Sequence, residues 1–418
     1  MQGKGYCKTL MLIKQRLNLN DITKALSVDL LNKLKIYHFN NGKGGGVLSV
    51  IRNLLRFSNN PLIENHIIYT VNKEQIPVFI PEQIEGAVTT QIFYYSPTWN
   101  FYYTCRQLSK LLPDEKALVV AHDWLELGMM SNLGLQNAVV QFVHGAYDYY
   151  YQLAKLHDAS IDLFIAVAQN IESRLIETIP HRRNDIGYLR FPVPCVNHEE
   201  KEVGDNINII FIGRLEAAKG YLLLPVIAKK VNESNSNVHW HVVGSVAEPA
   251  NENITWDENV TVRHYGNILN DAVLELLKSM QILILPSVAE GMPVIIIEAM
   301  KAGVIPLVNN IDGGIQELVI DDKTGYKIEN NSIAGYVEKI NSLSTDKSQR
   351  IKMSYNSVIM ANELFDPVIN TIAIENKIVE MFATPNKNKA AVKIYGSRLD
   401  EQWVPNYVVN TIRKISKK

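Results

Sequence analysis

From Leu34 to Val308 short apolar runs alternate with longer segments of helical period, and the pattern runs through twice. In the first half the strand-like runs are Lys35–Asn40, His66–Thr70, Gln91–Ser96, Leu118–His122, Val139–His144 and Asp162–Ala168. Helical stretches such as Leu48–Phe57, Phe101–Leu112 and Ile171–Thr178 lie between them. Such alternation predicts a parallel sheet covered by helices on both faces. Phe191-Pro192-Val193-Pro194, followed by Glu199, Glu200, Lys201 and Glu202, then interrupts it. Two prolines two apart end regular structure, and the charges favour exposure, so this is the expected interdomain linker. The pattern restarts with strand-like Ile207–Ile212, Val238–Val243, Gln281–Leu285 and Val304–Val308. Helical Leu222–Val231, Ala272–Met280, Val294–Lys301 and Gly314–Val319 fall between and after them.

The predicted class is therefore α/β, with two doubly wound, Rossmann-like domains facing a central cleft. Ligands of such sheets bind beyond the carboxyl ends of the strands. The expected boundaries are an extension over 1–33, an N-terminal domain over 34–195 and a linker over 196–206. A C-terminal domain over 207–370 follows, and then helices and a basic tail over 371–418 that return to the N-terminal domain. A chain of 418 residues suits this division at roughly 100–200 residues per domain.

Charge narrows the function classes. The net charge of −1 argues against nucleic acid as a partner. Cations nevertheless gather at the two ends, from Lys4 to Lys35 and from Lys393 to Lys418. Tyr6–Leu34 places Leu10, Ile13 and Leu17, then Ile22, Leu26 and Leu30, at amphipathic helical spacing, and the tail pairs Trp403 and Tyr407 with Arg413, Lys414, Lys417 and Lys418. These ends suit either an anionic membrane surface or packing as an extra helix and a brace for the N-terminal domain. Cys7, Cys105 and Cys195 show no paired or metal-ligand spacing, and no apolar run reaches the roughly 20 residues of a membrane span. The expected setting is the cytoplasm, with peripheral contact at the inner face of the cell membrane as the variant that the basic ends allow.

The segment richest in chemistry is Pro286-Ser287-Val288-Ala289-Glu290-Gly291-Met292-Pro293-Val294-Ile295-Ile296-Ile297-Glu298-Ala299-Met300. It reads as a buried strand, a short loop and a helix with Pro293 at its first position, so the amides of Gly291 and Met292 lie where anions bind. Glu298 is a lone carboxylate among Val, Ile, Ala and Met, and a carboxylate buried there needs donors such as ribose hydroxyls. At the end of the first strand of the same domain stands Gly213-Arg214-Leu215, then Lys219-Gly220, cations that suit either a solvated surface or a phosphate at the strand's carboxyl end. In the N-terminal half, Asn40-Asn41-Gly42-Lys43-Gly44-Gly45-Gly46 joins a strand to a helix, without the Lys-Ser/Thr close of a P-loop. Val140-Gln141-Phe142-Val143-His144-Gly145 ends another strand on a histidine, and His122-Asp123-Trp124 is a second candidate for lining the cleft. Tyr149-Tyr150-Tyr151 suits either stacking on acceptor sugars or packing beneath a loop.

Together these segments resemble the Glu-x7-Glu signature of retaining glycosyltransferases with the GT-B fold, in particular glycosyltransferase family 4 (glycosyl transferases group 1). Gly303-Val304-Ile305-Pro306, Asp312-Gly313-Gly314-Ile315-Gln316-Glu317 and Thr324-Gly325-Tyr326 fit the same family, and the resemblance runs from about Leu34 to Phe382. It implies a donor nucleotide-sugar carrying UDP, GDP or ADP and a sugar or lipid-linked acceptor. Glu290 is implied near the donor sugar, Glu298 on the ribose, and Arg214 and Lys219 at the diphosphate in place of a metal. His144 is implied on the donor sugar. Gly45, Gly46, Gly213, Gly291, Met292 and Pro293 line the donor site in this reading, with the base near Tyr265-Gly266-Asn267. No metal or other cofactor is expected; Asp321-Asp322 falls in a turn before Lys323. Departures from the family pattern are Ala168, where a serine is usual after the strand, and Phe191–Pro194, where an Asn-Gly is usual. Two other readings stand beside this one: a nucleotide-sugar epimerase of the same fold, and a non-catalytic sugar-nucleotide-binding protein.

Overall fold

The computed structural model describes residues 33–42, 44–74, 81–113, 116–196, 206–234, 237–246, 254–383 and 388–416. The basic N-terminal segment, Lys43, the charged part of the linker, Lys417 and Lys418 lie outside the described residues.

The N-terminal sheet comprises β1 (Leu34–Asn40), β2 (Ile63–Asn72), β3 (Thr89–Tyr95), β4 (Leu118–Ala121), β5 (Val139–Val143), β6 (Leu163–Ala166) and β7 (Ile186–Tyr188). Its order is β3-β2-β1-β4-β5-β6-β7, and every pairing is parallel. Helices α1 (Gly46–Phe57), α2 (Phe101–Ser109), α3 (Trp124–Leu133), α4 (Asp148–Leu156) and α5 (Gln169–Thr178) connect the strands. The C-terminal sheet comprises β8 (Ile207–Ile212), β9 (Val238–Val243), β10 (Thr261–Gly266), β11 (Ile282–Leu285), β12 (Ile305–Asn309) and β13 (Tyr326–Ile328). Its order, β10-β9-β8-β11-β12-β13, is again all parallel. Helices α6 (Leu224–Ser234), α7 (Asn270–Leu277), α8 (Val294–Lys301), α9 (Ile315–Leu318), α10 (Ile333–Thr345) and α11 (Lys347–Leu364) accompany it.

Both sheets reverse strand order beside their first strand, between β1 and β4 and between β8 and β11. Each therefore opens a crevice at the carboxyl ends of those strands. The central strands β4, β5, β6, β11 and β12 are buried on both faces, as covered parallel strands must be. Two doubly wound domains, as expected from the alternation, make up the described chain.

The chain crosses between domains at Phe191–Val196 and again at Phe365–Asp366. Asp366 caps α12 (Pro367–Phe382) by accepting from the amides of Val368 and Ile369, so the expected boundary at 370 falls inside this helix. Helix α12 lies against α1, and Ser58 Oγ donates to Glu375 Oε1 at 2.5 Å. The tail continues over the N-terminal domain. Lys389 Nζ is buried on Asp162 Oδ2 at 2.5 Å, Tyr395 packs on Phe101 and Trp124, and Arg413 reaches Asp400 and the Trp99 carbonyl. Helix α13 (Asn406–Ser416) buries Val409 and leaves Tyr407 and Ile415 exposed.

One side chain ties both crossings together. Lys301, at the end of α8, is fully buried and donates to the carbonyls of Val193 at 2.7 Å and Phe365 at 2.9 Å. Burial lowers its ammonium to about 8. Lys301→Met keeps the aliphatic bulk but orphans the buried Val193 carbonyl and leaves the Phe365 carbonyl only the long bond from the Val193 amide at 3.4 Å. The expected loss is roughly 1–3 kcal/mol, read as a lowered urea or thermal midpoint. An unchanged midpoint would show that these two bonds do not hold the crossing.

Candidate functional site

The facing carboxyl edges meet at a backbone contact. Gly145, just after β5, pairs as an isolated antiparallel bridge with Gly291 in the loop before α8. A Cβ on Gly291 would collide with the His144 carbonyl, and one on Gly145 would strike the rings of Tyr147 and Tyr150. Only glycine allows this approach, and it sets His144 and Glu290, from different domains, beside the same contact. Gly314 N donates to Gly291 O at 2.6 Å and fixes the loop from behind; Gly313, at φ 121°, makes the turn that allows it. Tyr147 Oη donates across the interface to Ala289 O at 2.9 Å. Glu317 on α9 accepts from the Gln169 amide at 2.6 Å and from Tyr188 Oη at 2.5 Å.

Beside this contact a cleft of about 500 Å³ opens between Ala146 on one side and Glu290, Asn310, Asp312 and Gln316 on the other. Lys219 Nζ donates to Glu290 Oε1 at 2.7 Å, and both side chains are largely enclosed. Gly220, at φ 72°, turns the chain immediately after Lys219, and a Cβ there would overlap the Pro286 carbonyl. Thus the loop after β8 is pressed onto the end of β11. Arg214 is different: its side chain is 66% exposed and pairs with Glu216 at 2.7 Å. Gly213 bonds the Val243 carbonyl at 3.0 Å, continuing the ladder to the lip of the crevice.

Glu298 sits one turn into α8 and is 2% exposed. Its Oε1 accepts from Asn270 Nδ2, at the start of α7, at 3.3 Å. Burial raises its carboxyl to about 7. Pro293 occupies the cap position of α8, with Val294 as the first helical residue, rather than the first helical position expected. The extended backbone of Pro293 (φ −74°, ψ 108°) and the bridge at Gly291 explain the shift: the chain stays extended to reach the other domain. Met292 and Pro293 are buried beneath this loop.

The glycine loop reaches the same place. Gly45 has φ 107°, open only to glycine, and a Cβ on it would meet nothing within 4 Å, so the loop fronts open space. A Cβ on Gly46 would make ordinary contact with Val294 at the start of α8. Asn267 is exposed just past β10, at the carboxyl edge of the sheet and after the turn at Gly266.

His144 is half-buried, with Phe142 and Tyr150 beside its ring, and burial lowers its imidazole to about 3. It is therefore neutral at pH 7. His122 does not line the cleft as expected. It is 3% exposed and lies behind His144, its Nδ1 2.7 Å from His144 Nε2. The reason lies in its neighbours: the rings of His38, Phe142 and His144 enclose it. Asp123 is taken up as the cap of α3, where it forms a capping box with Glu126 and receives Asn41 Nδ2 at 2.5 Å and Tyr149 Oη. Burial, with Asp123 adding, pushes the Glu126 carboxyl up to about 8. The tyrosine run divides: Tyr149 is exposed, Tyr150 packs beside His144, and Tyr151 is buried under Arg174.

Glu216, Asn270 and Tyr147 have no warning in the sequence, since each acts through a partner that only the fold brings near. Glu317 stands within the Asp-Gly-Gly segment, but its role as an interdomain clasp depends on Tyr188. Among the described residues no three His, Cys, Asp or Glu side chains gather as a metal site would need.

Residues 197–358 match the family model of glycosyl transferases group 1. The matched stretch is similar to that family and covers most of the C-terminal domain. An uncharacterized glycosyltransferase of Haemophilus influenzae is 30% identical over 167 residues, 38% of this chain and 45% of its own length. The UDP-Gal:alpha-D-GlcNAc-diphosphoundecaprenol alpha-1,3-galactosyltransferase of Escherichia coli is 29% identical over 197 residues, 44% of this chain and 49% of its own. The chain thus spans about half the length of these relatives. The crystal structure of Anabaena Alr3699/HepE in complex with UDP and glucose superposes with a TM-score of 0.67 at 15% identity, covering 83% of this chain and 100% of that one. The fold is GT-B.

The Glu298 titration has a measurable sign. Its pKa is raised in the fold, so the stabilisation of the protonated form is full below about pH 4.5 and is lost as pH rises through about 7. Glu298→Gln removes that dependence. The unfolding stability of the variant relative to the native protein should therefore rise between pH 5 and pH 8, by about 2–3 kcal/mol. Parallel stability profiles for the two proteins would place this carboxyl at an ordinary pKa.

Proposed function

We propose that this protein is a retaining, metal-independent glycosyltransferase. It would transfer a sugar from a UDP-, GDP- or ADP-sugar to a glycan or lipid-linked acceptor, in the synthesis of surface polysaccharide or glycoconjugate. The carrying observation is the glycine-to-glycine contact that sets neutral His144 and the Lys219–Glu290 pair beside one cleft. The match of residues 197–358 to glycosyl transferases group 1 supports the class. The lipid-linked acceptor named for the Escherichia coli relative supports that acceptor type.

In this reading the diphosphate lies at the lip formed by Gly213, Arg214 and Lys219, where two cations take the role a divalent ion plays elsewhere. Glu298 and Asn270 hold the ribose, and the backbone after Gly266, at Asn267, meets the base. The sugar lies between His144 and Glu290, under the loop of Gly45, Gly46, Gly291, Met292 and Pro293. The acceptor hydroxyl attacks the anomeric carbon from the face the diphosphate leaves. The carbon–oxygen bond to phosphate breaks as the new glycosidic bond forms, and the acceptor proton passes to the departing phosphate oxygen. The charge growing on that oxygen is what Arg214 and Lys219 stabilise.

Cys105 is a buried free thiol, which suits a reducing compartment such as the cytoplasm. No described helix is long and apolar enough to cross a membrane. Contact with an anionic membrane face is the reading favoured by Trp403, Tyr407 and Ile415, which are 76%, 73% and 68% exposed beside Lys414. Deleting residues 408–418 should then reduce co-sedimentation with anionic liposomes and leave neutral liposomes unaffected. Binding indifferent to both lipid charge and deletion would return the tail to a purely bracing role.

Product analysis with UDP-, GDP- and ADP-sugars tests the function itself, because transferred sugar, epimerised donor and unchanged donor distinguish the three readings. Arg214→Ala and Lys219→Ala should each lower transfer about 10²–10³-fold, the scale of one lost transition-state charge contact. Arg214→Ala is the cleaner of the two, because its exposed side chain supports little of the fold. Native turnover in both variants would remove the diphosphate from this lip.

A further inference from the structure

The pair His122–His144 carries information about proton position. His122 is enclosed, with the rings of Phe142 and His38 at centroid distances of 5.3 and 6.3 Å. Its Nδ1 meets His144 Nε2 at 2.7 Å, and its Nε2 is buried without a hydrogen-bond partner in the structure. One proton must lie between the two rings, on His122 Nδ1 or on His144 Nε2. If His144 supplied it, neutral His122 would carry its own proton on Nε2, a buried N–H with nothing to accept it. Orphaned buried N–H groups are rarer than under-satisfied acceptors. The less costly arrangement puts the His122 proton on Nδ1, donating outward, and leaves a bare nitrogen inside. His144 then accepts on Nε2 and must hold its own proton on Nδ1.

From this geometry we propose that His122 is a positioning residue that locks His144 as the Nδ1–H tautomer and so makes it a hydrogen-bond donor toward the cleft. The group it addresses is an oxygen acceptor, such as a hydroxyl or ring oxygen of the bound sugar. Both imidazoles have lowered pKa values through burial, so the pair stays neutral and the tautomer, rather than a charge, is what the site sets. Adjacent chemistry agrees. The nearby Lys219–Glu290 pair offers Lys219 as its cation, whereas a sugar needs oriented neutral donors. The inference rests on the proposed transfer reaction for its substrate, but the tautomer can be measured without it.

Two-bond ¹H–¹⁵N correlation of the full chain labelled with ¹⁵N-histidine, with His144 assigned by His144→Gln, should show His144 protonated on Nδ1. A His144 protonated on Nε2, or averaging between both tautomers, overturns the proposal whatever the enzyme does. The transfer assay then tests the consequence. His122→Asn keeps an amide donor near the Nδ1 position and should retain most of the turnover. His122→Phe removes the donor and should lower kcat by about 10- to 100-fold, with the donor KM nearly unchanged and mixed tautomers at His144. Equal activity in the Asn and Phe variants would deny the positioning role. Absence of transfer by the native protein would sink the functional reading alone, and the tautomer result would stand.

Discussion

Two backbones approach at Gly145 and Gly291 more closely than any side chain would allow, and the site is arranged around that approach. A domain pair joined by flexible crossings would ordinarily bring cleft residues together only loosely. Here the ladder of β5 runs on into the bridge, the bridge into the loop of Gly291, and that loop into α8. Gly313 and Gly314 hold the loop from the far side, with the Gly314 amide on the Gly291 carbonyl. Positioning therefore comes from rigid strands and backbone bonds, the kind of support a catalytic arrangement needs if its geometry is to be set before substrate arrives.

Helix α8 carries this geometry inward. Its first residue, Val294, lies where a Cβ on Gly46 would meet it; Glu298 faces Asn270 one turn further on; and Lys301 binds the carbonyls of both interdomain crossings at its end. One short helix thus joins the edge of the glycine loop, the proposed ribose contact and the crossings. A nucleotide that engages Glu298 acts on the same rigid body that Lys301 anchors. Buried charges at both Glu298 and Lys301 are costly to hold, and burial shifts each toward its neutral form. A stretch devoted only to packing would have apolar residues at both positions.

How much of this was legible in the sequence follows from burial. Strands β11 and β12 are covered on both faces and therefore appear as almost unbroken apolar runs, and β8 and β5 do so with one polar residue each, whereas β9 alternates buried Val238 and Trp240 with half-buried His239 and His241. By contrast, β10 is an edge strand whose Thr261, Arg263, His264 and Gly266 are exposed, and β13 is three residues long, so neither produced a run. Helix α3 escaped for the opposite reason: Leu125 to Ser131 are all buried, which leaves no polar face and no helical period. At the site, the signals that could be read were local ones, such as Glu290, Glu298, Gly213 and His144 at the ends of buried strands or within one segment. What could not be read were the partners. Asn270 for Glu298, Glu216 for Arg214 and Glu290 for Lys219 lie 28, 2 and 71 positions away, and even the near pair depends on the turn between them. The placement of His122 behind His144, rather than beside it, required knowing that the rings of His38, Phe142 and His144 enclose it.

Those partners also bear on how charge is managed at the lip. In this structure each proposed phosphate ligand faces a carboxylate, Arg214 on Glu216 and Lys219 on Glu290. The Lys219–Glu290 pair is enclosed, so breaking it without a replacement would leave two poorly solvated charges, whereas an entering diphosphate offers Lys219 a new anion as Glu290 turns to the sugar. The exchange is close to neutral only when both parts of one ligand arrive together. A free sugar would leave Lys219 unpaired, and a free diphosphate would leave Glu290 unpaired. If the chain takes a nucleotide-sugar, as proposed, the pairing would favour the intact molecule over either fragment. The exposed Arg214–Glu216 pair, screened by solvent, adds little to that selection.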